Sequence, residues 1–116
     1  MRHKKSKRIL GRVKSPREMM LRNLAASIII YEKVKTTAAK GKEVRGLVEK
    51  LIKLSKQNNL TAHRRLLAMV PQKTAVKKLL EVINKRYPEK NSGYTRLIKL
   101  NPRPGDGASL VQIELV

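Results

Sequence analysis

A chain of 116 residues has room for one modest core and not two, and a hydrophobic content of 41% argues against a wholly disordered polymer. The absence of cysteine excludes disulfides and cysteine-ligated zinc and points to a reducing, intracellular setting. The longest apolar run, 24–31, is interrupted by Ser27 and falls far short of the roughly 20 residues a membrane span needs. The net charge of +20, from 28 Lys and Arg against 8 Asp and Glu, repels itself and calls for a polyanionic partner.

The opening stretch MRHKKSKRILGRVKS holds seven of those positive residues and no acid, too many unpaired charges to bury. Ser15-Pro16-Arg17-Glu18 then reads as a capping box with proline at the first helical position. Met20, Leu24 and Ile28, flanked by Leu21 and Ala25, predict a helix over about 16–30 with one stripe inward. The β-branched and polar residues of 31–36 predict a short strand. In the next helix Val44, Leu47, Val48, Leu51, Ile52 and Leu54 form the apolar face, and Lys42, Arg45, Glu49, Lys50 and Lys53 the rest. Gly41 and Gly46 each cost it about 1 kcal/mol relative to Ala. Two readings stand: close approach of another backbone, or tolerated first-turn positions.

Asn58-Asn59 is a loop, and 60–70 reads as a third helix with Ala62, Leu66, Leu67 and Val70 inward. Pro71 breaks it, and 72–86 forms a fourth with Val76, Leu79, Leu80 and Ile83 inward. After a loop at 87–93, 94–100 and 110–116 read as strands, the second alternating Val111, Ile113 and Leu115 with Gln112 and Glu114. Turn formers at 101–107 join them. The order is α-β-α-α-α-β-β behind a basic, extended tail. It predicts an α+β fold with helices packed on one face of a small mixed three-stranded sheet, divided into a tail at 1–14 and a single globular α/β body at 15–116.

Catalytic constellations are nearly absent. His3 and His63 lack metal-ligand spacing on one helix face. Most carboxylates sit three or four residues from a Lys or Arg, as solvated ion pairs do. Gly105-Asp106-Gly107 precedes a strand and matches no phosphate-loop pattern. The expectation is a non-enzyme with no metal, cofactor or small-molecule substrate, and no membrane partner.

The only rings are Tyr31, Tyr87 and Tyr94, too few for a base-stacking platform. What remains is phosphate-directed binding to a structured, duplex-rich RNA, with a tail that orders on binding. Three weaker readings stand beside it: a purely solvated tail, an organelle leader, for which the tail lacks an amphipathic face, and a membrane-surface helix, for which Gly11 and the sparse hydrophobics are poorly suited. The alternative is an architectural, non-sequence-specific DNA-binding protein. In it, 60–86 forms a helix-turn-helix whose second helix presents Lys73, Lys77 and Lys78, phosphate contacts rather than readers of base edges.

Three stretches, MRHKKSKRILGR, RNLAASIIIYEKVKTTAAKGKEVR and GYTRLIKLNPRPGDGASLVQIELV, resemble in order and spacing the bacterial large-subunit ribosomal protein L-seventeen family. The likeness covers essentially the whole chain and is weakest across 55–91. It departs at Ser92, where the family often has a second glycine, and at Ser109-Leu110 in place of Pro-Met. The resemblance implies a cytoplasmic, ribosome-bound protein that binds large-subunit ribosomal RNA through an N-terminal arm and an α/β body. It also implies a neighbour of the L-thirty-two family. Carried onto this sequence, it makes Arg2, His3, Lys4 and Arg8 arm contacts, and Arg22, Arg96 and Arg103 contacts of the body. Lys5, Lys7, Arg12, Lys14, Arg17, Asn23, Lys35 and Arg64 complete the expected RNA-binding set. Asn23 has an equal claim to a structural bond with the tail or a strand, and Tyr94 reads as a half-buried strand residue.

Overall fold

The computed structural model of the chain describes residues 14–57, 59–88, 90 and 92–116. The described part of helix α1 spans Lys14–Tyr31. Ser15 therefore lies inside the helix, and the expected capping box is not its start. Ala25, Ala26, Ile28 and Ile29 are buried, with Leu21, Leu24 and Ile30 packed beside them.

Glu32 ends α1 with a positive φ of 65°, and its N–H donates to the Ile28 carbonyl at 2.7 Å. This left-handed residue turns the chain straight into β1, Lys33–Thr37, two residues later than the expected strand. Thr37, in extended conformation, leads directly into α2, Ala38–Ser55, where Val44, Val48, Leu51, Ile52 and Leu54 are buried. Asn59 caps α3, Leu60–Met69, its Oδ1 accepting from the Ala62 N–H at 2.8 Å. Ala62, Leu66 and Val70 point inward as expected, but Leu67 is 45% exposed, because α3 packs along one narrow stripe.

The expected fourth helix is continuous but not regular. It comprises α4, Lys73–Lys78, a π-helical turn, Leu79–Ile83, and α5, Asn84–Arg86. Val76, Leu79 and Ile83 are buried and Leu80 is half-buried. In a regular α-helix, residues eight apart fall about 80° out of line. A π turn absorbs about one extra residue and so brings Lys78 and Arg86 onto the same side.

The α+β plan holds, with β2 at Thr95–Lys99 and β3 at Leu110–Leu115 completing the sheet in the order β1-β3-β2. Both pairings are antiparallel, so the sheet is not mixed. β1 and β2 run parallel to one another, but β3 lies between them and hydrogen-bonds to each. Val34, Leu97, Ile113 and Leu115 line the inner face beneath the helices. At Gly41 of α2 an added Cβ would lie 2.7 Å from Val111 Cγ2, whereas at Gly46 it would meet nothing within 4 Å. Gly41 thus serves close approach, to a sheet side chain rather than to another backbone.

Candidate nucleic-acid interface

Carboxylates decide which cations face a partner. Glu32 accepts from Lys78 Nζ at 2.9 Å and from Arg86 through both terminal nitrogens. Arg86 first and Lys78 second hold its carboxyl at about 2, far below the usual 4.5. Lys78 also donates to the Ile30 carbonyl at 2.9 Å. A helix-turn-helix reading of 60–86 thereby loses one of its three lysines to the core side, and its second helix is interrupted by the π turn.

Glu114, 5% exposed, accepts from Arg96 Nε at 2.8 Å and from Gln112 Nε2 at 3.2 Å. Arg96 Nη2 lies 2.7 Å from the same carboxylate. Arg96 is the main reason the Glu114 carboxyl is depressed. Asp106 accepts from Arg103 Nε at 3.0 Å and Nη2 at 2.6 Å, and from the Ala108 N–H at 3.1 Å. Arg103, then the Ala108 amide, hold its carboxyl at about 2. Expectation had carboxylates paired with neighbours three or four residues away. Asp106 obeys it, but Glu32 and Glu114 take partners from distant strands and helices, because the fold brings opposite charges together across its elements.

Among the described residues, exposed cations lie on several surfaces, including the following three. On the outer sheet face, Lys33, Glu114 and Arg96 form one row across the strands, and Lys35, Gln112 and Ile98 the next; Lys33, Lys35 and Arg96 are exposed. Strand alternation puts them there, since Val34 and Thr36 occupy the other face. Between α1 and α2, Arg17, Arg22 and Lys50 border a groove of about 530 Å³ with Glu18, Glu43, Leu21, Leu47 and Met69. Along α3, His63, Arg64 and Arg65 are exposed. Beside them Leu60 and Leu67 are uncovered.

The expected set is therefore dispersed rather than gathered. Arg17 and Arg22 share the groove, Lys35 and Arg96 share the sheet face, Arg64 lies on α3, and Arg103 projects from the loop between β2 and β3. Arg2, His3, Lys4, Lys5, Lys7, Arg8, Arg12 and the Lys14 side chain lie outside what is described. Asn23 is exposed, and its Oδ1 accepts from Gln72 Nε2 at 3.1 Å. It ties α1 to the α3–α4 link rather than to a strand, and the expected bond to the tail lies outside the described residues. Lys33 and Lys50 were not expected. Lys33 was legible from its alternation with Val34; Lys50 was indistinguishable from the other lysines of α2.

Of the three tyrosines only Tyr31, 72% exposed, presents its ring to solvent, and one ring makes no stacking platform. Tyr94 is 1% exposed and precedes β2, buried rather than half-buried. Its ring lies 5.2 Å from that of Tyr87, and its hydroxyl donates to the Lys90 carbonyl at 2.9 Å. Tyr87 donates to the Val116 carbonyl at 2.7 Å. Among the described residues no three His, Asp or Glu side chains cluster as a metal site, and no helix is long and apolar enough to cross a membrane.

A model of the family described as Ribosomal protein L17 matches residues 20–116. The chain belongs to the ribosomal protein L17 family. It is 50% identical over 111 residues to the large ribosomal subunit protein bL17 of Caldanaerobacter subterraneus subsp. tengcongensis, covering 96% of this chain and 99% of that one. The bL17 of Trichlorobacter lovleyi is 48% identical over 116 residues, 100% of this chain and 94% of its own. That of Clostridium acetobutylicum is 47% identical over 109 residues, 94% and 96% respectively. The Trichlorobacter match takes in the basic tail as well as the body. As a member of the L17 family the chain is a structural, non-enzymatic ribosomal protein, cytoplasmic and ribosome-bound.

Proposed function

We propose that this protein is a structural constituent of the large ribosomal subunit that binds and stabilises folded large-subunit ribosomal RNA through phosphate-directed lysines and arginines. Residues 1–14 act as a basic arm that penetrates the RNA, and 15–116 as the body docked beside it. A protein of the L-thirty-two family is its protein neighbour.

The observation that carries the reading is that exposed cations occupy the outer sheet face, the α1–α2 groove and α3 at once. A straight duplex meets a small protein on one side, whereas folded ribosomal RNA surrounds it. This favours RNA over the architectural DNA-binding alternative, as does the engagement of Lys78 with Glu32. Neutralising phosphates that RNA folding has brought together releases counterions, and that release drives binding.

Sedimentation tests the assignment: the protein should travel with the large subunit after a high-salt wash, and loss to the supernatant counts against it. Competition at moderate salt separates the rival. Folded ribosomal RNA should displace the protein from duplex DNA, and equal competition by the two favours DNA binding.

A further inference from the structure

Two arginines expected to touch RNA share one arrangement. Arg96 and Arg103 each give the Nε and Nη2 edge of the guanidinium to a carboxylate, Glu114 and Asp106 respectively. A guanidinium has five N–H donors in a fixed plane. Engaging one edge leaves Nη1 and the outer hydrogen of Nη2 facing away from the carboxylate, in a set direction.

At Arg103 this edge stands at the tip of an exposed loop. Residues 101–107 are all exposed. The Arg103 N–H donates to the Ala108 carbonyl at 2.9 Å, and the Gly107 N–H donates to the Arg103 carbonyl at 2.9 Å. Asp106 accepts from Arg103 and from the Ala108 amide together, so one carboxylate fixes both the side chain and the backbone that carries it. The side chains of Arg103 and Asp106 are 52% and 58% exposed. A solvated pair of this kind adds little to stability, so the folded body gains little from keeping an acid here. For a protein of net charge +20 with an anionic partner, an acid at a contact loop is also an electrostatic disadvantage.

We infer that Asp106 is a positioning residue for RNA binding: it holds the Arg103 guanidinium so that its free edge meets a backbone phosphate of the folded ribosomal RNA. The inference rests on the RNA-binding reading above. An arginine already fixed loses less side-chain freedom on binding, and bidentate phosphate recognition needs that planar edge correctly aimed.

The decisive feature is a sign. Asp106→Asn removes a negative charge and takes the net charge from +20 to +21, so charge alone makes the variant bind RNA more tightly. Positioning makes it bind more weakly, by about 3- to 10-fold, the worth of one rotamer-rich side chain held ready. The experiment measures the affinity of the full chain for a folded large-subunit ribosomal RNA transcript at fixed salt. Four proteins are compared: unsubstituted, Asp106→Asn, Arg103→Ala and the double variant. Melting temperatures confirm that all four fold alike.

The expected result is weaker binding by Asp106→Asn alone, and no loss or a gain when the same change is made on Arg103→Ala, where there is no guanidinium to position. Equal or tighter binding by the single variant overturns the inference. So does an equal loss in both backgrounds, which marks Asp106 as acting on the loop and not through Arg103. Failure of the unsubstituted chain to bind the transcript overturns the RNA-binding reading itself.

Discussion

Glu32 and Lys78 are 46 residues apart in the chain, and their charged atoms are 2.9 Å apart in the fold. Arg86 reaches the same carboxylate from the far side of the π turn. The ion pair therefore fastens the left-handed exit of α1 to a segment that a regular helix would have rotated away. Glu32→Gln should lower stability by about 1 kcal/mol, because side chains this exposed are partly screened by solvent. The carboxyl sits at about 2 when folded against 4.5 ordinarily. Its contribution is thus complete above pH 4.5 and is lost as pH falls toward 2. Urea melts of both proteins across that range check this: the difference between them should shrink on acidification, and a constant difference contradicts it.

The two glycines of α2 should respond oppositely to the same change. Gly41→Ala places a methyl against Val111, whose β-branched side chain has little rotamer freedom in a strand. We expect a loss of about 1–3 kcal/mol. Gly46→Ala meets open space and gains helix propensity, so stability should rise by about 0.5–1 kcal/mol. Thermal melts decide it; a shift of the same sign in both leaves the packing assignment wrong.

Leu51 and Leu67 separate what the sequence made legible from what it did not. In α2 the apolar residues recur on one face and the charged ones fill the other, and the expected face is the buried one, with Leu51 at 0% exposure. The alternation in β3 likewise identified its inner residues. In α3, Leu66 and Leu67 are adjacent, and only the position of the neighbouring helices selects the first. The π turn, the insertion of β3 between β1 and β2, and the distant partners of Glu32 and Glu114 are tertiary in origin, and no local pattern encodes them. For the candidate interface, charge and aromatic content pointed to phosphate contact, yet they could not tell Arg96 and Arg103, held by acids, from lysines facing solvent alone. Leu51→Ala should cost about 2–5 kcal/mol and Leu67→Ala less than about 0.5. Denaturant midpoints measure both, and equal losses contradict the core as described.

Removal of residues 1–13 should leave the body folded. The packed contacts of α1 begin at Leu21, and its buried residues at Ala25, well inside the cut. Far-UV circular dichroism per residue should not fall, while affinity for folded ribosomal RNA should drop, because the deletion removes six Lys and Arg, namely Arg2, Lys4, Lys5, Lys7, Arg8 and Arg12. Lost helicity places the tail in the core; unchanged affinity leaves it without the role proposed.

The most direct measurement is the salt dependence of binding between the full chain and folded large-subunit ribosomal RNA. Cations on several surfaces and along the tail should neutralise many phosphates together. The log–log slope should then correspond to about 6 or more. A slope equivalent to fewer than about 3 contradicts a phosphate-directed footprint.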